Sequence, residues 1–169
     1  MTALDYAGDA ISLNPANGEE IKRYPFESEA QLENSLSRVQ NAFELWRDVS
    51  PQNRAAILMK MANALRAQVE PLARMEAVEM GKPITQGRAE VEKCALLCEW
   101  YAEHGPKMLE PEPTSVENNK AFVAYRPLGA VLAVMPWNFP LWQIMRGAVP
   151  IILSGNPYVL KHAPNVMGC

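Results

Sequence analysis

The sequence has no apolar run long enough to span a bilayer. Its first ten residues carry neither the basic nor the apolar part of a signal peptide, so the chain reads as soluble and cytoplasmic. Cysteine is scarce. The three thiols, Cys94, Cys98 and Cys169, are odd in number and form no disulfide framework, as expected of a reducing compartment. Cys94 and Cys98 stand four apart on a predicted helix, but no histidine or further cysteine lies within five residues of either, so buried thiols are expected and no metal site. An excess of positive charge is also missing: the net charge is -3 and the pI about 5.5, with basic residues scattered among acids. That leaves no face for nucleic acid. There is no internal repeat and no G-x-G-x-x-G fingerprint, because Gly147, Gly155 and Gly168 are too widely spaced.

What is present suits a folded core. The 169 residues are 49% hydrophobic, the size and composition of one ordinary domain. Between Ile11 and Tyr24 an alternating apolar pattern surrounds Asn17-Gly18, a strong turn signal, and predicts a β-hairpin. Ser28 and Gln31 read as a capping box, after which Leu32, Leu36, Val39, Phe43 and Trp46 fall on one helical face. Ser50-Pro51 opens a second helix with Ile57, Leu58, Met61 and Leu65 on its apolar face. A third begins near Pro71, carries Leu72, Met75 and Val78, and stops at Gly81 before Pro83. A fourth runs from Thr85 through Val91, Ala95, Cys98 and Ala102 to Gly105-Pro106. On these helices Glu76, Glu79, Glu90 and Glu92 read as solvated surface in preference to metal-binding carboxylates. Residues 106–119, with Pro111, Pro113, Ser115, Asn118 and Asn119, read as an irregular connection, and Lys120 to Arg126 as a strand.

The chain is organised around residues 129–161. Two β-type runs, 129–135 and 158–160, flank a helical pattern in which Leu141, Ile144, Met145, Ala148 and Ile152 recur at three and four residues. This predicts strand, crossover helix and parallel strand. Between the first strand and the helix lies Pro136-Trp137-Asn138-Phe139-Pro140, a loop stiffened by two prolines. Such loops at the carboxyl ends of parallel strands are where open α/β sheets take ligands. Taken singly, Asn138 would be a turn residue and Lys161 a solvated charge; the joint pattern argues otherwise.

That pentapeptide, followed by Gly155-Asn156 and a strand ending in Lys161, resembles the aldehyde dehydrogenase superfamily. The resemblance implies an α/β fold whose helices pack on a Rossmann-type parallel sheet, of which this chain is the N-terminal part. It divides the chain into a hairpin and helices of the cofactor-binding domain (1–118), a protruding oligomerisation strand (119–128) and the start of the sheet (129–169). By position, Asn138 gives its side-chain amide to the oxyanion formed when a cysteine thiolate attacks an aldehyde. Pro136, Trp137 and Lys161 hold NAD or NADP, with Lys161 at the ribose. A homodimer or homotetramer is implied, and no metal. The family's nucleophilic cysteine and its glutamate base fall beyond residue 169, and Cys169 takes no role. The alternative is a non-catalytic fragment that binds nucleotide or oligomerises.

Arg146 is the only charge among Leu141, Trp142, Ile144, Met145, Ala148 and Val149, and burying it would be costly without an acidic partner. It is either an interface arginine whose head reaches water or a carboxylate-binding residue of the substrate tunnel. The local sequence, Asn-Phe-Pro followed by this arginine and then Leu-Lys-His-Ala, is most similar to succinate-semialdehyde dehydrogenases, which implies the second.

Overall fold

Apolar side chains converge where three helices meet. A computed structural model describes residues 4–5, 8–117 and 119–169. Its helices are α1 (Glu29–Trp46), α2 (Pro51–Ala67), α3 (Val69–Met80), α4 (Ile84–Met108) and α5 (Pro140–Leu153). Leu58 and Ala62 of α2, Ala95 and Cys98 of α4, and Val149 and Leu153 of α5 form the main buried cluster. Val91, Cys94 and Leu141 extend it toward the start of α5. The helices approach closely because small residues stand at their crossings: a side chain at Gly87 would lie 3.0 Å from the Ala73 backbone.

The strands are β1 (Leu4–Asp5), β2 (Asp9–Leu13), β3 (Glu20–Pro25), β4 (Glu112–Val116), β5 (Asn119–Val123), β6 (Val131–Val134) and β7 (Tyr158–Lys161). The predicted hairpin is β2–β3, joined through a turn in which Gly18 adopts a positive φ of 76°. β1 adds a third antiparallel strand. β6 and β7 are parallel, in register from Val131 opposite Tyr158 to Val134 opposite Lys161, with α5 as their crossover. Together they give the α/β architecture expected from the sequence.

Several expectations are corrected. The stretch read as irregular contains β4, paired antiparallel with β5; Glu-Pro-Thr-Ser-Val has little β character of its own and owes its strand form to the ladder. Asn118 lies outside the described residues. α4 continues through Pro106 to Met108. Of the stripe expected on α1, Leu32 and Leu36 are exposed and Val39, Phe43 and Trp46 are half-buried. Ile57 of α2 and Met75 of α3 also face outward, and the buried stripe of α3 is Ala73, Glu76 and Glu79.

Two side chains close the far end of α5. The Arg54 guanidinium donates to the carbonyls of Leu153 (2.7 Å) and Val49 (2.5 Å), and the Trp46 indole donates to that of Ile152 (2.9 Å). Carbonyls that the helix itself leaves without partners are thereby satisfied.

Candidate functional site

Of the site residues named from sequence, Pro136, Trp137 and Asn138 follow the carboxyl end of β6 and Lys161 ends β7. The Met135 amide donates to the Lys161 carbonyl at 3.1 Å, so the loop that follows β6 starts beside the last residue of β7. Pro136, Trp137, Asn138 and Phe139 are all exposed, Trp137 by 51%, and the chain turns inward only at Pro140. Lys161 is exposed as well. The amide of Asn138 is an uncharged donor at the mouth of the parallel pair, a position from which it can meet developing negative charge. Arg146 lies apart, six residues and about 9 Å beyond Pro140 along α5. It is exposed, so the burial cost argued from sequence does not arise within this chain.

Beneath the loop is a group of charges that includes two of the glutamates expected to be solvated. Glu76, Lys82 and Glu90 are almost completely buried. The Lys82 ammonium pairs with one carboxylate oxygen of Glu90 and lies 3.3 Å from Oε2 of Glu76. The other Glu90 oxygen accepts the backbone N–H groups of Leu141 (3.0 Å) and Trp142 (2.9 Å) in the first turn of α5. Lys82 also sits 4.3 Å from the centroid of the Phe139 ring, within cation–π range. Burial, with the Glu90 carboxylate nearby, pushes the Glu76 carboxyl up to about 7.

Glu79 is buried on the same face of α3, where Ser12 Oγ (2.6 Å) and the amides of Gly168 and Cys169 (both 2.9 Å) donate to it. It borders a cleft of about 480 Å³ shared with Ile11, Leu13, Trp137 and Asn165. Of the four glutamates taken as solvated, only Glu92 is partly exposed, in an ion pair with Arg66. The error has a physical root: Glu76 and Glu79 lie three and six residues after Ala73, on its stripe, and their partners sit on other elements. The one available signal was Lys82, a charge confined between Gly81 and Pro83 where neither helix offers it an exposed face.

Cys94 and Cys98, expected to be buried, are so. Burial pushes Cys94 up to about 12 and Cys98 up to about 11, and Cys169 is raised too, by burial and by Glu79.

Two parallel strands joined by a crossover helix, with an exposed loop at the strands' carboxyl ends, define an α/β protein. The chain belongs to the aldehyde dehydrogenase family, whose profile matches residues 6–169. It is 58% identical over 163 residues to the NAD(P)+ succinate semialdehyde dehydrogenase Sad of Escherichia coli K12, a match covering 96% of this chain and 35% of that protein. It is 38% identical over 161 residues to the NADP+ succinate-semialdehyde dehydrogenase 1 of Mycobacterium tuberculosis H37Rv, covering 94% and 35%. Among solved structures, succinic semialdehyde dehydrogenase from Streptococcus pyogenes with NADP+ superposes with a TM-score of 0.86 at 31% identity over 94% of this chain and 35% of that one. The structure of Gox0499 gives 0.92 at 30% identity, over 95% and 36%. The chain thus spans about a third of the length of the relatives it matches.

Proposed function

We propose that this chain is the N-terminal part of an NAD(P)+-dependent enzyme that oxidises succinate semialdehyde, or a similar ω-carboxylated aldehyde, to the carboxylic acid in the cytoplasm. The observation that supports this reading is that the loop bearing Asn138 leaves β6 next to Lys161, the last residue of β7, where the Met135 amide meets the Lys161 carbonyl. The donor set fits a phosphorylated dinucleotide: Lys161 is an exposed ammonium with no acid bonded to it among the described residues, and the exposed Trp137 ring offers a flat apolar face. When bound, the cofactor accepts hydride from the substrate carbon. Pro136, Trp137 and Lys161 hold it.

A cysteine and a glutamate from beyond residue 169 supply the thiolate that attacks the aldehyde and the base that prepares water for thioester hydrolysis. As the thiolate adds, the carbonyl oxygen gains negative charge, and the Asn138 amide donates to it. Arg146 reads the distal carboxylate as a bidentate partner. Residues 1–118 and 129–169 serve the cofactor domain, and 119–128 carries an oligomerisation strand; the exposure of Phe122, Val123 and Tyr125 supports a homo-oligomer.

Replacing Asn138 by alanine in the full-length enzyme tests this reading. The expected result is a fall in kcat of about 10²- to 10³-fold, the scale for losing one oxyanion donor, with cofactor affinity little changed. A kcat within a few-fold of the parent removes Asn138 from the chemistry.

A further inference from the structure

The start of α5 has no local cap. Phe139 occupies the N-cap without a side-chain bond, and Pro140 has no N–H to satisfy. The Gln143 amide bonds within the helix, to the Phe139 carbonyl. The two amides left over, of Leu141 and Trp142, both end on a single Glu90 oxygen supplied by α4, 51 and 52 residues away. A carboxylate at a helix N-terminus also complements the dipole there. The second Glu90 oxygen is fixed by Lys82, and Lys82 in turn supports the Phe139 ring. Glu90 and Lys82 therefore grip the chain at 139, 141 and 142, directly after Asn138.

A buried lysine between two carboxylates is a weak means of joining helices, since apolar residues of similar volume commonly do so as well or better. Here the charge is aimed at the backbone of one loop. An amide side chain acting on an oxyanion must be held within a few tenths of an ångström, and exposed Asn138 has no side-chain hydrogen bond of its own among the described residues. We propose that Glu90, held by Lys82, is a positioning residue that fixes the Asn138 carboxamide through the first turn of α5 and the Phe139 ring. This rests on the oxyanion role given to Asn138 above.

A double-mutant cycle in the full-length enzyme separates positioning from plain stability. Glu90→Gln keeps an acceptor but loses the charge. It is expected to lower kcat about 10- to 10²-fold in the parent, in keeping with misplacement of a catalytic group. In an Asn138→Ala background the same change should alter kcat less than about twofold, because no amide is left to misplace. Equal losses in both backgrounds, with Asn138→Ala itself damaging, overturn the positioning role and leave the oxyanion role standing. A silent Asn138→Ala overturns both. Should Glu90→Gln fail to fold, Phe139→Leu takes its place, since that ring is 47% exposed. It is expected to cost about three- to tenfold in kcat in the parent, the equivalent of a weakened cation–π contact, and nothing in the Asn138→Ala background. Equal losses there overturn the proposal.

Discussion

Lys161 is followed by His162, Ala163 and Pro164, and the third of these bears on cofactor choice. Many NAD-preferring members of the family carry a glutamate three residues after this lysine, which accepts from the adenosine ribose and repels a 2′-phosphate. Proline can do neither, so under the cofactor role proposed for Lys161 the barrier to NADP would be missing while the lysine could still pair with phosphate. The enzyme is expected to use both cofactors or to prefer NADP, and Pro164→Glu should move the ratio of kcat/KM values toward NAD. A parent that favours NAD by orders of magnitude, unmoved by Pro164→Glu, contradicts this. Arg146 is exposed in this chain and free to meet a carboxylate. Arg146→Ala should lower kcat/KM for succinate semialdehyde about ten- to hundredfold, as for one lost charge-assisted contact, while butanal is nearly unaffected. Equal losses for the two aldehydes would give Arg146 a structural task. The position of Trp137 and Asn138 after β6, and of Lys161 at the end of β7, was legible because the loop motif is contiguous and its spacing to the second strand is fixed. Glu90 was not, since its partners lie more than fifty residues away and nothing around it in α4 differs from an ordinary helix surface.

Elements with local causes were readable. Gln31 N–H donates to Ser28 Oγ (3.3 Å) while the Gln31 side chain accepts from the Ser28 amide (2.8 Å), and Ser50 caps α2 through the Asn53 amide (3.3 Å). β4 was not, because its strand form depends on β5. Nor was the buried face of α3, where two glutamates replace the apolar residues that helical spacing leads one to expect. That face makes stability depend on pH. The Glu76 carboxyl titrates near 4.5 in an unfolded chain and about 7 in the fold, so between these values the folded state holds a proton that the unfolded state lacks. Its contribution to stability therefore diminishes as pH rises through that window and is level above it. Glu76→Gln removes the titration while Lys82 keeps Glu90. The melting temperature of the variant relative to the parent should be higher at pH 8 than at pH 5.5; a difference that is constant or runs the other way would show that Glu76 stays ionised.

At the scale of the molecule, the exposed apolar surface stands out. Leu132 and Val134 of β6 are 68% and 67% exposed, Leu160 of β7 is 39% exposed, and Leu32, Leu36 and Leu45 lie open along α1. Parallel sheets are ordinarily covered on both faces, and two strands do not make a stable one alone. Among the described residues no helix is long and apolar enough to cross a membrane. Residues 1–169 produced alone are expected to self-associate in sedimentation and to oxidise no aldehyde. A monomer that binds no hydrophobic dye, or turnover with host enzyme excluded, would contradict this. α5 has a consequence of another kind. Arg54 and Trp46 take its last carbonyls and Glu90 its first amides, so both ends are anchored to partners that do not move with it. One inserted residue would swing everything beyond it by about 100° and lengthen the helix by about 1.5 Å. Neither anchor could then be met without losing the other, which leaves α5 a segment of fixed length that admits no insertion or deletion.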